Sequence, residues 1–171
     1  DIVALYNWDK EETTIECPLQ RIGLGEKNYV AFDFWANQLV ALEPGTLRVR
    51  VPGRSCRILA LRPVLDRPQL LSTSRHVTQG IVDVVEEKWR PWTRSLEGVS
   101  QLVGGDPYEL RVALPQNERG WERRSASAVG VGTASDARVG ESSVSEGLLR
   151  VRVVSATSGS VRWRLEFKRA G

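Results

Sequence analysis

The chain contains one histidine, His76, in the run LLSTSRHVTQG at residues 70–80, and catalysis would have to start there. A nucleophilic site needs an activated serine or cysteine, a base and an orienting acid meeting in space. Ser72, Thr73 and Ser74 are close in sequence, but no GxSxG turn presents a serine. A zinc site built on one histidine would need distant carboxylates, or Cys17 and Cys56, and no CxxC pair is present. His76 therefore reads as a structural residue at a seam between two modules. A pair of carboxylates can hydrolyse glycosides without histidine. Asp33, Asp66, Asp83 and Asp106 qualify by type, and no spacing singles out two of them. The residues thus assign no catalytic group, no metal and no cofactor. Cys17 and Cys56 read as small buried hydrophobes or free thiols, or as a pair if their strands are adjacent.

The six tryptophans suggest recognition instead. Trp8, Trp35 and Trp163 fall on strand positions and are expected in the core. In KWRPWTR (88–94), Pro91 breaks the strand between Trp89 and Trp92, so these two are the candidates for stacking on a sugar, Trp92 foremost. The net charge of +3 is carried by 20 arginines and four lysines. The arginines alternate with apolar residues in LRVRV (47–51), LLRVRVV (148–154) and VRWRLEF (161–167), as on the solvated faces of half-buried strands. A nucleic-acid surface would cluster them between aromatics, so no nucleic-acid partner is expected. No apolar run of about 18 residues suits a membrane helix, and no membrane partner is expected. The Gly/Ser-rich stretch 129–147 lacks the GK[ST] ending of a phosphate cradle and reads as a loop or a weak edge hairpin.

These residues must be positioned by strands. Residues 2–8, 13–17, 28–35, 46–51 and 55–61 form a first series, and 80–89, 95–103, 108–114, 121–129, 147–155 and 161–168 a second. PLQRIGLG (18–25) allows at most one helical turn. Pro63 and Pro68 stiffen the stretch between the series. The fold expected is all-β: two antiparallel, immunoglobulin-like β-sandwiches in tandem, at 1–64 and 80–171, joined by a connector at 65–79. Residues 148–154 and 161–167 share a core-facing parity that predicts a hairpin with 153 opposite 163. Its loop would have three or five residues with Gly159 at positive φ. Arg150 would oppose Glu166, and Arg152 would oppose Arg164. The absence of methionine and the apolar start DIVALYNW lead to the expectation that Asp1 is a cut inside a longer polypeptide.

The run DIVALYNWDKEETTIECPLQRIGL, followed by YVAFDFWANQLVAL and GTLRVRVPGRSCRILALRP, resembles the C-terminal β-sandwich region of melibiase-type α-galactosidases and related glycoside hydrolases. Asn7, Trp8, Leu24, Asp33, Trp35, Pro52, Ser55, Leu59 and Leu61 carry the likeness. RHVTQG and GGDPY, in the next stretch, are similar to a C-terminal extension of some bacterial members. The resemblance covers residues 1–115 closely and 116–171 loosely. It implies a non-catalytic accessory region whose partner is a β/α barrel of the same polypeptide, with the paired catalytic aspartates on that barrel. It also implies an upstream strand missing from the first sandwich, an apolar patch where the barrel docks, and self-association of the isolated piece through that patch. Carbohydrate is the other partner class, bound by a stand-alone module through Trp92 and Trp89.

Overall fold

A computed structural model describes residues 1–40, 42–115, 120–132 and 136–170. Their regular structure is almost entirely antiparallel strand, and the chain divides into two compact units, Asp1–Val64 and Leu65–Gly171. The first unit contains β1 (Ile2–Asn7), β2 (Thr13–Pro18), a 3-10 turn (Leu19–Ile22), β3 (Tyr29–Asp33), β4 (Gln38–Val40), β5 (Thr46–Val51) and β6 (Ser55–Pro63). One sheet has the order β1-β6-β3-β4, and β2 pairs with β5 in a second. On β5 the strand period is plain: Leu47, Val49 and Val51 are buried while Arg48 and Arg50 are exposed. The three buried residues form one core with Leu5, Ala31, Leu59 and Leu61 of the larger sheet. Arg48 lies opposite Glu16 and pairs with it at 3.0 Å, so this arginine is a solvated cross-strand partner.

The second unit contains β7 (Gln69–Thr73), β8 (Val84–Arg90), β9 (Ser95–Leu102), β10 (Tyr108–Ala113), β11 (Trp121–Val131), β12 (Arg138–Ser145), β13 (Leu148–Val154) and β14 (Gly159–Arg169). Its two sheets run β12-β13-β10-β7 and β11-β14-β9-β8. Leu70, Leu110, Val112, Leu149, Val151 and Val153 come from the first sheet. Leu96, Leu102, Val161, Trp163, Leu165 and Phe167 come from the second, and together they form one sandwich core.

Three expectations are corrected by these pairings. Residues 65–79 are not a plain connector: Gln69–Thr73 form a wholly buried strand paired with β10. Pro63 closes β6 and Pro68 precedes β7, positions where a missing N–H costs no ladder bond. The strands at 148–154 and 161–167 do not form a hairpin. β13 pairs with β10 and β12, and β14 pairs with β9 and β11. Both apolar sets do face one core, but from opposite sheets. Gly159 opens β14 opposite Leu102, and Arg164 lies opposite Glu97, to which it is ion-paired at 2.9 Å. In the Gly/Ser-rich stretch, β12 forms an edge strand hairpinned to β13; residues 133–135 lie outside the described set.

One like-charge pair does occur, at a different place. Arg111 and Arg150 lie directly opposite on β10 and β13, and Arg111 is buried. The Glu109 carboxylate sits between them, accepting from Arg111 Nε at 2.8 Å and from Arg150 Nη1 at 2.7 Å. Burial pushes the Glu109 carboxyl up, but the hydrogen bonds and charges of both arginines outweigh it and hold the group below its ordinary value. A depressed folded value contributes stability above the ordinary carboxylate pKa, and that stability is lost as pH falls through the folded one. Glu109→Gln is expected to cost about 1–2 kcal/mol at neutral pH, because the site is partly solvated. Urea denaturation at about pH 3 should show the gap to wild type narrowing. A gap independent of pH would contradict the role of the charge.

Candidate functional site

Two places gather exposed aromatic or buried polar groups. In the first unit, Asn7 ends β1 with its side chain turned inward and buried. Its Nδ2 donates toward the carbonyls of Glu11 (2.8 Å), Val51 (3.0 Å) and Pro52 (3.2 Å), and its Oδ1 accepts from Asp9 N–H at 3.0 Å. This ties the end of β1 to the turn between β5 and β6. Gly53 in that turn permits the approach, because a Cβ there would collide with the Lys10 carbonyl. With Asn7 inward, strand parity sends Tyr6 and Trp8 outward. Their rings stack with centroids 5.7 Å apart and planes within 7°, and Trp8 is 84% exposed. Tyr6, Trp8, Arg54, Ser55 and Cys56 line an open cleft of about 590 Å³.

Asp33 does for Trp35 what Asn7 does for Trp8. Its Oδ1 accepts from Trp35 N–H and Ala36 N–H, both at 2.9 Å, and Arg57 Nε lies 3.6 Å from Oδ2. This turn after β3 leaves Trp35 55% exposed. Trp8 and Trp35 are therefore not core residues, contrary to expectation; Trp163, at 1% exposure, is.

In the second unit the polar centre is Asp83, buried to 3% exposure. Its Oδ2 accepts from Tyr108 Oη at 2.6 Å and Thr73 Oγ1 at 2.8 Å. Tyr108 Oη also lies 3.0 Å from Ser100 Oγ, which accepts from Trp163 Nε1 at 2.9 Å. The sequence runs indole, serine, phenol, carboxylate, and crosses the core from β14 to β9 to β10. Burial first, then the negative charge of Asp83 and the bond to it, push the Tyr108 phenol far above its ordinary range. His76 is exposed and its backbone carbonyl closes the local turn by accepting from Gln79 N–H at 2.8 Å.

The carboxylates proposed by type stay apart in their partnerships. Asp33 holds a turn, Asp66 meets Arg169 at 3.2 Å, Asp106 meets Arg75 at 2.9 Å, and Asp83 binds Tyr108 and Thr73. Among the described residues no three His, Cys, Asp or Glu side chains gather as metal ligands. Cys17 and Cys56 are free thiols. Trp92 is 98% exposed. Trp89 instead packs edge-on to Trp121 at 5.7 Å and against Phe167 at 6.1 Å, with the Arg67 guanidinium 5.5 Å above its ring. Sequence reasoning missed Tyr6, although a polar Asn7 between two aromatic residues was the available signal. Compared with known proteins, the chain matches no family model and no curated protein.

Proposed function

We propose that this chain is a non-catalytic accessory region of a glycoside hydrolase, with the Tyr6–Trp8 face of its first unit docking on a β/α barrel of the melibiase type. The supporting observation is the stacked, exposed pair on an edge strand, held outward by a buried Asn7 at a cost in apolar exposure that a lone domain has no reason to bear. The asparagine, the aspartate and both outward tryptophans are residues that carry the family likeness. The second reading is a module that binds carbohydrate directly, and the exposure of Trp8, whose ring is 84% exposed, favours it, since an indole face open to solvent suits the flat face of a sugar.

Trp8→Ala decides between them. Its effect on folding is expected to stay within about 0.5 kcal/mol, because the ring is solvent-facing. On the docking reading, a melibiase-type barrel lacking its own sandwich binds the chain, and Trp8→Ala weakens that binding about tenfold. Calorimetry with methyl α-galactoside then shows no saturable heat. On the carbohydrate reading the sugar heat is present and is lost in Trp8→Ala, or in Trp92→Ala if that ring is the platform. Absence of both binding events would sink the proposal.

A further inference from the structure

We propose that two copies of the chain associate about a two-fold axis through β8, each setting its Trp92 on the exposed residues 81–85 of the other. β8 ends the order β11-β14-β9-β8 and pairs with β9 alone among the described residues. An edge strand presents backbone N–H and C=O groups to whatever lies beside it, and a second strand satisfies them. Glu86, Glu87, Lys88 and Arg90 are all exposed, so this edge is open to a partner. Apolar groups stand at both of its ends. Ile81, Val82 and Val85 are exposed at the start, where the ladder to β9 slips between Val84 and Glu86. At the far end Arg94 N–H donates to the Pro91 carbonyl and closes a tight turn, with the exposed Trp92 at its tip.

The charges select the occupant. Charged side chains on an edge strand normally deter pairing with another chain. Glu86 lies opposite Val99 and Lys88 opposite Glu97, so the two share the outer face of the sheet. Arg90 and Glu97 pair with each other at 3.3 Å, whereas Glu86 and Lys88 have no ion-pair partner among the described residues. In an antiparallel pairing with the two-fold axis at Glu87, Glu86 of each copy stands opposite Lys88 of the other, and the ion pair forms twice. Val82 and Trp92 are equally far from Glu87 in sequence, so the same axis carries each Trp92 to the other copy's apolar end. Glu87 meets its own counterpart at the axis. Burial pulls the Arg67 guanidinium below its ordinary value and the nearby Glu87 charge opposes that shift, so an arginine stands near each of these carboxylates. A strand of unlike sequence would gain the backbone bonds but neither the paired charges nor the paired ends. The inference goes beyond the docking reading and does not depend on Trp8.

Sedimentation velocity of the full chain, from micromolar to millimolar concentration, tests this. A weak monomer–dimer equilibrium is expected, half associated at roughly 100 µM, as suits a contact smaller than a standard interface. Lys88→Glu sets Glu86 against a second glutamate and should weaken the dimer about tenfold or more. Adding Glu86→Lys reverses both charges, restores the opposite pairing and should recover the association. Trp92→Ala should also weaken it about tenfold, as for a buried interface tryptophan. All these positions are exposed, so thermal unfolding at low concentration should stay as in wild type. Trp8→Ala should leave the dimer intact; loss of association in that variant would place the contact on the first unit and overturn the proposal. So would a monomer at every concentration, or a double charge reversal as weak as Lys88→Glu alone. Saturable heat with methyl α-galactoside that Trp92→Ala removes, in a chain that stays monomeric, would overturn it too and assign the ring to carbohydrate.

Discussion

Trp163→Ala is expected to destabilise the second unit by about 3–5 kcal/mol, a cost typical of an emptied aromatic core position. On β9 the inward face presents Leu96, Gly98, Ser100 and Leu102. Trp163 lies opposite Gly98 on β14, and a Cβ at Gly98 would collide with the indole, so the glycine is the space the ring occupies. The ring then reaches one residue pair further and donates to Ser100. Removing it leaves a large void that neighbouring strands cannot collapse into without breaking both ladders of β14. The lost donor also leaves Ser100 with Tyr108 alone. For a unit of this size the unfolding midpoint should fall by roughly 10–20 °C, read by far-ultraviolet circular dichroism. Trp92→Ala, the same substitution at a 98% exposed ring, should move it by about 2 °C or less. Comparable losses in the two variants would refute the placement of the core.

That contrast also marks what could be read from the sequence. The strands were legible where one face is apolar and the other charged, as in LRVRV, because burial imposes the period of two. Trp8 was not, because IVALYNW is apolar at nearly every position and offers no parity. The inward residue is the polar Asn7, whose burial makes sense only once the carbonyls of Val51 and Pro52 arrive from more than 40 positions away. β7 was missed for the same reason. Ser72 and Thr73 look like connector residues until Gln79 and Asp83 satisfy their hydroxyls inside the fold. For β13 and β14 the parity was right and the partner wrong, since facing a shared core is met equally well across a sandwich and across a hairpin. Asp83 was visible only as one acid among several, because its partners on β7 and β10 become neighbours through sheet pairing alone.

Tyr108→Phe is expected to cost about 2–3 kcal/mol at neutral pH, the loss of a buried bond to a carboxylate. The phenylalanine ring fills the same volume, so the effect isolates the hydroxyl. Asp83 Oδ2 keeps only Thr73, and Ser100 keeps only the Trp163 donor. The pH dependence gives the sharper signature. Burial and the adjacent Asp83 charge raise the phenol of the folded chain, whereas an unfolded tyrosine ionises near pH 10. Above about pH 10 the unfolded state releases a proton that the native state retains, so the stability that Tyr108 contributes is complete below that pH and is lost progressively above it. Phenylalanine has no such proton. The gap between wild type and Tyr108→Phe should therefore be widest below about pH 9 and shrink steadily towards about pH 11. A constant gap would mean that the hydroxyl acts by shape alone. Tyr108 phenolate forming at the ordinary pH within the native state would mean that the hydroxyl is solvated, and that the Asp83 carboxylate is not held as described.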